Sequence, residues 1–521
     1  MPSICVKSTD EKTIRIPLNL LIPFLLLLAA TVLFPHSALA NPRYGGTFRY
    51  VGETDAVGFD AIKARHAFGG GRLVGHLVME KLFERGEKGE LIPVLGMSAT
   101  PLEGGKVWTI KLRKGVKFHD GTPFDADAVV KHWKRLLDPR NRYRMRMLFR
   151  PIASVEKTAD DEVRFILKHA WIPFSAVLTD PTGFTSPIPS PKAVEEGKHH
   201  LSPVGTGPFI FKEWKRGSHI ELVKNPNYWK KGKPYVDRVL YRAIVDHESR
   251  YAALVSGQAD VMITDRPAHV KKLKANPEFS THVVNFRGAG ILVLNNLKPP
   301  LNDPRVRRAM AHAWDQKRYI SASYKNITPF TEHWFGNAVD CREVGYRHPD
   351  LKKAQALITE YGKPVELEYV HTATNRGREA GIILQQMMKE IGVKVTPVPS
   401  DFSGIMKKLF SKNFDIASWL IRGALDMGPM TTAFLHSKSP WNMTRYADEE
   451  VDRLLLKQRL STDPEERSEV LCTIARKVND DVPFLYLFGR RYYVFARNFV
   501  KNLKIPVNGE EGLQFDVWLE E

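Results

Sequence analysis

Between Val365 and Leu420 the chain switches its hydrophobic period four times, and this alternation restricts the possible fold more than any other stretch. Val365 to Val370 reads as a strand, and Arg378 to Ile391 as a helix with Ile383, Met387 and Ile391 on one face; Gly392 then stops it. Val393 to Val398 reads as a second strand, Phe402 to Phe410 as a short helix, and Asp415 to Leu420 as a third strand. Strands separated by helices must pair in parallel, because each helix carries the chain back to the same end of the sheet. The expected class is therefore α/β. A helix from Asp303 fits this layer, with Asp303 as cap, Pro304 in the first turn, and Val306, Met310, Ala313 and Trp314 facing inward.

A second informative stretch is Val107 to Pro139, VWTIKLRKGVKFHDGTPFDADAVVKHWKRLLDP. Trp108, Ile110 and Leu112 share one face of a strand, and Asp120-Gly121 signals a turn. Asp125 is placed to cap a helix whose Val129, Val130, Trp133, Leu136 and Leu137 form an apolar stripe ending before Pro139.

The first forty residues read as an export signal, with Lys7, Lys12 and Arg15 ahead of an apolar stretch from Leu18 to Phe34 and an A-x-A site at Ala38 to Ala40. Cleavage before Asn41 leaves no cysteine at the new N-terminus, so a soluble periplasmic protein is expected rather than a lipoprotein or a retained anchor. Cys341 and Cys472 would then be the only thiols, in a compartment that permits pairing; spacing alone leaves a disulfide and two free thiols both open. The formal charge of the whole chain is +19, which favours anionic partners, although solvated charge spread along the chain would give the same balance. Some 480 mature residues exceed one core, so two or more lobes are expected.

The Val107 stretch resembles the signature of the extracellular solute-binding proteins, family 5, which serve peptide, opine and nickel ABC importers. Further landmarks follow in that family's order: VGTGPFIFKEW from Val204, NPNYWKKGKPYVDRV from Asn225, ALVSGQADVM from Ala253 and DPRVRRAMAHAWDQKRYI from Asp303. The resemblance implies a bilobal periplasmic binding protein fold of type II, cluster C-like, with an extra inserted subdomain. Carried onto this chain, residues 1–40 are the signal peptide, 41–84, 186–285 and 490–521 make a discontinuous first lobe, 85–185 the insert, and 286–489 the second lobe. Crossovers near Phe286 and Gly489 would be hinges.

Motifs for chemistry are few. His119-Asp120 reads as a turn rather than a catalytic pair. Ser154-Val155-Glu156-Lys157 lacks the K-T-G partner of penicillin-binding enzymes. Gly205-Thr206-Gly207-Pro208 precedes a strand, so it reads as a tight turn and not a phosphate cradle. His199 and His200 read as a solvated pair. No cofactor or metal site is expected, and a secreted hydrolase is the weaker alternative class. The basic run Arg140 to Arg150, with Arg144 and Arg146 interleaved with Tyr143, Met145, Met147 and Phe149, suits a ligand carboxylate better than nucleic acid once export is considered.

Peptide-binding members of that family often carry W-x-x-D in the second lobe, the aspartate meeting the peptide's ammonium group. Here the segment beginning SWLIRGALD at Ser418 keeps Trp419 but places Arg422 three residues on, where a cation repels an ammonium group. Asp426 restores the peptide reading only if the alignment slips. The expected function is thus the substrate-binding component of an ABC importer, not an enzyme, holding a carboxylate-bearing or otherwise anionic solute through Arg422 and Trp419, with Arg144 or Arg146 as a second anion contact. An ordinary di- or oligopeptide receptor, with Asp426 as the ammonium partner, is the alternative. The implied partner is an inner-membrane permease.

Overall fold

The alternation after Val365 is realised as three parallel strands whose connecting helices bury their apolar faces. The computed structural model describes residues 3–6, 14–17, 42–63, 70–86, 90–179, 187–336, 339–422, 426–505 and 516–520. It divides into two units, residues 1–43 and 44–521. In the first, Ser3–Val6 pairs antiparallel with Ile14–Pro17. The apolar stretch after Leu18 and the expected cleavage site lie outside the described residues. Among the described residues, no helix is long and apolar enough to cross a membrane.

The second unit begins with β1 (Thr47–Gly52) and α1 (Gly70–Val78). Next come β2 (Gly96–Leu102), β3 (Val107–Leu112), α2 (Ala126–Leu137), β4 (Ile152–Ala159) and β5 (Glu162–Leu167), in which the four strands form a separate sheet ordered β2-β3-β5-β4. Asp125 caps α2 by accepting from the Ala128 amide, as its position before the apolar stripe predicts. Val129, Trp133 and Leu136 are fully buried, and Trp133 meets Phe165 of β5 edge-on at 5.3 Å. Burial of each such side chain contributes about 1.5–3 kcal/mol, which fixes α2 on this sheet.

The chain then supplies β6 (Phe209–Lys215), β7 (His219–Lys224), β8 (Arg238–Ala243), β9 (Val261–Thr264) and the sixteen-residue β10 (Phe279–Leu294). Helices α3 (Pro304–Ala313) and α4 (Gln316–Tyr324) follow, with Asp303 capping α3 as expected. Then come β11 (Val365–Thr372), α5 (Asn375–Lys389), β12 (Val393–Ser400), α6 (Phe402–Ser411) and β13 (Ile416–Arg422). Helices α7 (Met427–Leu435), α8 (Glu449–Leu460) and α9 (Pro464–Asp481) lead into the fourteen-residue β14 (Phe484–Arg497). One ten-stranded sheet results, ordered β6-β7-β8-β1-β9-β14-β10-β13-β11-β12. The long strands β10 and β14 run through its centre, antiparallel, and their ladder breaks between Asn285 and Ala289 before resuming at Ala289 opposite Gly489.

Several of the landmark motifs turn out to clasp elements together. His119 places Nε2 2.9 Å from the Gly207 carbonyl and its amide donates to the Gly205 carbonyl, while Ser190 donates to Asp120. Gly205 and Gly207 are needed for close approach rather than for a special turn: a Cβ on either would collide with the carbonyl oxygens of Val78 and Leu77 at the end of α1. Thr206, Tyr228 and Trp229 all donate to the buried carboxylate of Glu80. Burial raises the Glu80 pKa and these donors oppose the rise.

One expectation needs correction. His199 is 3% exposed, enclosed near Asp60 and Arg135, whereas His200 is half-buried. The aromatic residues of the basic run are core: Tyr143 and Phe149 are buried and stack at 6.5 Å, where no nucleobase could reach them. Cys341 and Cys472 form a disulfide, with Cα atoms 5.3 Å apart.

Candidate functional site

Strand direction locates the site. β8 and β9 run parallel to β1, and β14 is antiparallel to β9; β10, antiparallel to β14, therefore runs with them. β13 is antiparallel to β10, and β11 and β12 follow β13. The carboxyl ends of β1, β8 and β9 thus face the carboxyl ends of β11, β12 and β13. Register gives the gap: Thr264 ends β9 at the level of Val283 of β10, and Arg422 ends β13 opposite Gly288. On β14, past the irregular stretch of β10, the same levels are Tyr493 and about Gly489, a span of about 10–13 Å that suits a small solute. Crevices beyond the carboxyl ends of parallel strands are where α/β sheets bind ligands.

Helices α5, α6 and α7 each begin just after a strand ends, capped by Thr374, Asp401 and Asp426, so three helix N-termini share the strand-end side. Arg422 is the last residue of β13; its side chain, like that of Arg144, lies outside what the structure describes. Trp419, three residues earlier, pairs opposite Ile291 and is half-buried, with its indole nitrogen buried and without a partner among the described residues. A donor left in that state is available to a ligand acceptor.

Asp426 is differently engaged. Its carboxylate caps α7 through the Gly428 amide at 2.9 Å and is paired with Arg467, which leaves little of it for a ligand. Arg146 reaches the Leu137 carbonyl at 3.4 Å, and Leu148 in the same turn lies with Pro429, Thr432 and Ala433 of α7 around one cavity. The basic run and the helix that follows β13 are therefore neighbours, as placing both at one site requires.

Sequence reasoning missed a charge pair across the gap. Arg376, in the first turn of α5, donates to Asp265, the residue after β9, and lies over the Tyr324 ring at 4.2 Å. Burial lowers the Arg376 pKa, and Asp265 more than offsets this, leaving it raised. No motif marks either residue; only the strand order brings them together.

For a metal, the described residues offer Glu213, His219 and Glu221 on the β6–β7 hairpin, with ligand atoms within 4.8 Å of one another. Glu221 is already paired with Lys212 and Arg238, and Glu213 with Lys215, so the cluster is neutralised. Ser154 donates to Glu156 and Lys157 is paired with Asp127 and Asp160, which is no nucleophile-and-base arrangement.

Residues 90–442 match the family described as bacterial extracellular solute-binding proteins, family 5 Middle. Di/tripeptide-binding protein 2 of Pseudomonas aeruginosa is 27% identical over 436 residues, covering 76% of this chain and 81% of that protein. The nickel-binding periplasmic protein of Escherichia coli is 29% identical over 351 residues, covering 63% and 67%. Among solved structures, the periplasmic binding protein DppA of Helicobacter pylori in complex with the peptide STSA superposes with a TM-score of 0.82 at 25% identity, covering 92% of this chain and 99% of that one.

Proposed function

Because the chain belongs to the bacterial extracellular solute-binding proteins of family 5, we propose that it captures a small solute bearing a carboxylate or other anionic group between two lobes and delivers it to an inner-membrane ABC permease. What supports the anionic preference is Arg422 at the end of β13, standing three residues after Trp419 where peptide-binding members of the family often carry an aspartate. Trp419 supplies a wall and a free indole donor. Closure is a rotation about the two long strands, with hinges near Phe286 and Gly489; the ladder break between Asn285 and Ala289 supports that placement. The lobes are 41–84, 186–285 and 490–521 against 286–489, with 85–185 as the insert. Ligand shifts the balance only by binding the closed state better than the open one. The protein is exported, cleaved before Asn41 and carries no lipid, a reading supported by the leader's charge and apolar pattern.

The test is to purify the protein, release and identify its solute by mass spectrometry, and compare wild type with Arg422→Ala by calorimetry. An anionic solute whose affinity falls at least about tenfold in the variant is expected. Unchanged affinity overturns the Arg422 assignment. The di/tripeptide-binding relative favours a peptide receptor as second reading, and tight binding of ordinary dipeptides with a free ammonium group would establish it.

A further inference from the structure

A cavity of about 50 Å³ lies at the seam between the insert and the second lobe, against α7 and α8. Leu148, Pro151 and Trp171 wall it from the insert, and Thr432, Gln458 and Arg459 from α7 and α8. Arg459 is the informative residue. It makes no hydrogen bond or ion pair among the described residues, and its one recorded contact is with the Trp171 ring, whose centroid lies 6.0 Å from the guanidinium carbon. Asp426 is committed to Arg467 and Glu466 to Lys457, so neither neutralises it. His169, which feels the Arg459 charge, has a buried Nε2 with no partner. A half-buried guanidinium without a counter-charge is costly, and the end of helix α8 offsets only part of that cost.

We propose that this seam cavity binds a compact oxyanion, with Arg459 as its charge partner and Trp171 as the wall. A cavity of this size holds a carboxylate or a sulfate-sized ion with little else. Guanidinium is suited to it because two parallel N–H groups match two oxygens. None of the described residues that line it belongs to β13, so the proposal does not depend on the cleft reading. The anion is either free in solution or a carboxylate of the transported solute, and occupancy would tie the insert to the second lobe.

Acetate and sulfate are the probes, titrated by calorimetry at constant ionic strength made up with chloride, against wild type, Arg459→Gln, Arg459→Lys and Arg422→Gln. Saturable binding to wild type is expected, weakened at least about tenfold in Arg459→Gln and less in Arg459→Lys. In chloride alone, Arg459→Gln should unfold at or above the wild-type temperature, since it removes an uncompensated charge. A merely structural Arg459 predicts the reverse. Absence of saturable binding, equal affinity in wild type and Arg459→Gln, or loss caused by Arg422→Gln alone would each overturn the proposal. Competition between acetate and the co-purified solute identifies the solute's own carboxylate as the occupant, and simultaneous binding identifies a free anion.

Discussion

Arg467 holds Asp426 through one Nη2 placed 2.8 Å from one carboxylate oxygen and 2.9 Å from the other, with the two side chains 15% and 8% exposed. The same carboxylate caps α7, so its lone pairs are turned into the fold. Asp426→Ala removes a cap and strands a guanidinium, and is expected to cost about 2–4 kcal/mol in denaturant unfolding while changing solute affinity less than about threefold. Arg422→Ala is expected to behave in the opposite way. An Asp426→Ala protein that keeps its stability but loses the solute would return Asp426 to the binding site.

Asp265 and Arg376 join the two sets of strand ends, and their side chains are only 23% and 18% exposed. A pair so placed favours the state in which the ends are close. Asp265→Asn and Arg376→Gln should each weaken solute-dependent compaction, and the double-mutant cycle on solute affinity should return a coupling of about 1–3 kcal/mol. Additive effects within about 0.5 kcal/mol would show that the contact does not contribute to closure.

Local pattern made the elements legible, and long-range geometry stayed hidden. The strand and helix alternation from Val365 survived nearly residue for residue because each period matches the face each element buries, as at Leu367, Leu384 and Val395. Trp419 was placed correctly on a strand for the same reason, although the strand runs on to Arg422, two residues past the expected end, whereas Asp426 acquired its partner from a residue forty-one positions away, which no spacing rule reaches. The burial of His199 and the pairing of Asp265 with Arg376 likewise follow from packing between distant segments. Even the glycines of the Gly205 motif were explicable only once the end of α1 was seen against them.

The Cys341–Cys472 bridge closes a loop of 131 residues and fastens the segment before Leu351 to α9. Closing a long loop restricts the unfolded chain, and loss of such a bridge typically costs about 2–5 kcal/mol. Protein beginning at Asn41 should show no free thiol when unfolded without reductant, and two after reduction. The double Cys→Ser variant should unfold at lower urea with the solute affinity retained, because neither cysteine lies at the strand ends. Two titratable thiols in the unreduced protein would refute the bridge.

Acid should weaken the fold before it weakens any exposed ion pair, and His199 is the reason. Burial pushes its pKa down to about 4, with Asp60 opposing the shift and Arg135, His132 and His200 adding to it. In the unfolded chain the same imidazole titrates near the ordinary value of about 6.5. Between these values the unfolded state binds a proton that the folded state refuses, so stability is intact above about pH 6.5 and falls as pH drops toward 4. The total loss from this residue approaches about 3 kcal/mol by that linkage. His119, lowered by burial as well, adds in the same direction. Urea unfolding at pH 7.5 and pH 5 should therefore differ measurably in wild type, and His199→Gln should flatten the difference. A variant whose stability falls as steeply as wild type would mean that His199 is not held neutral at the seam between α1 and α2.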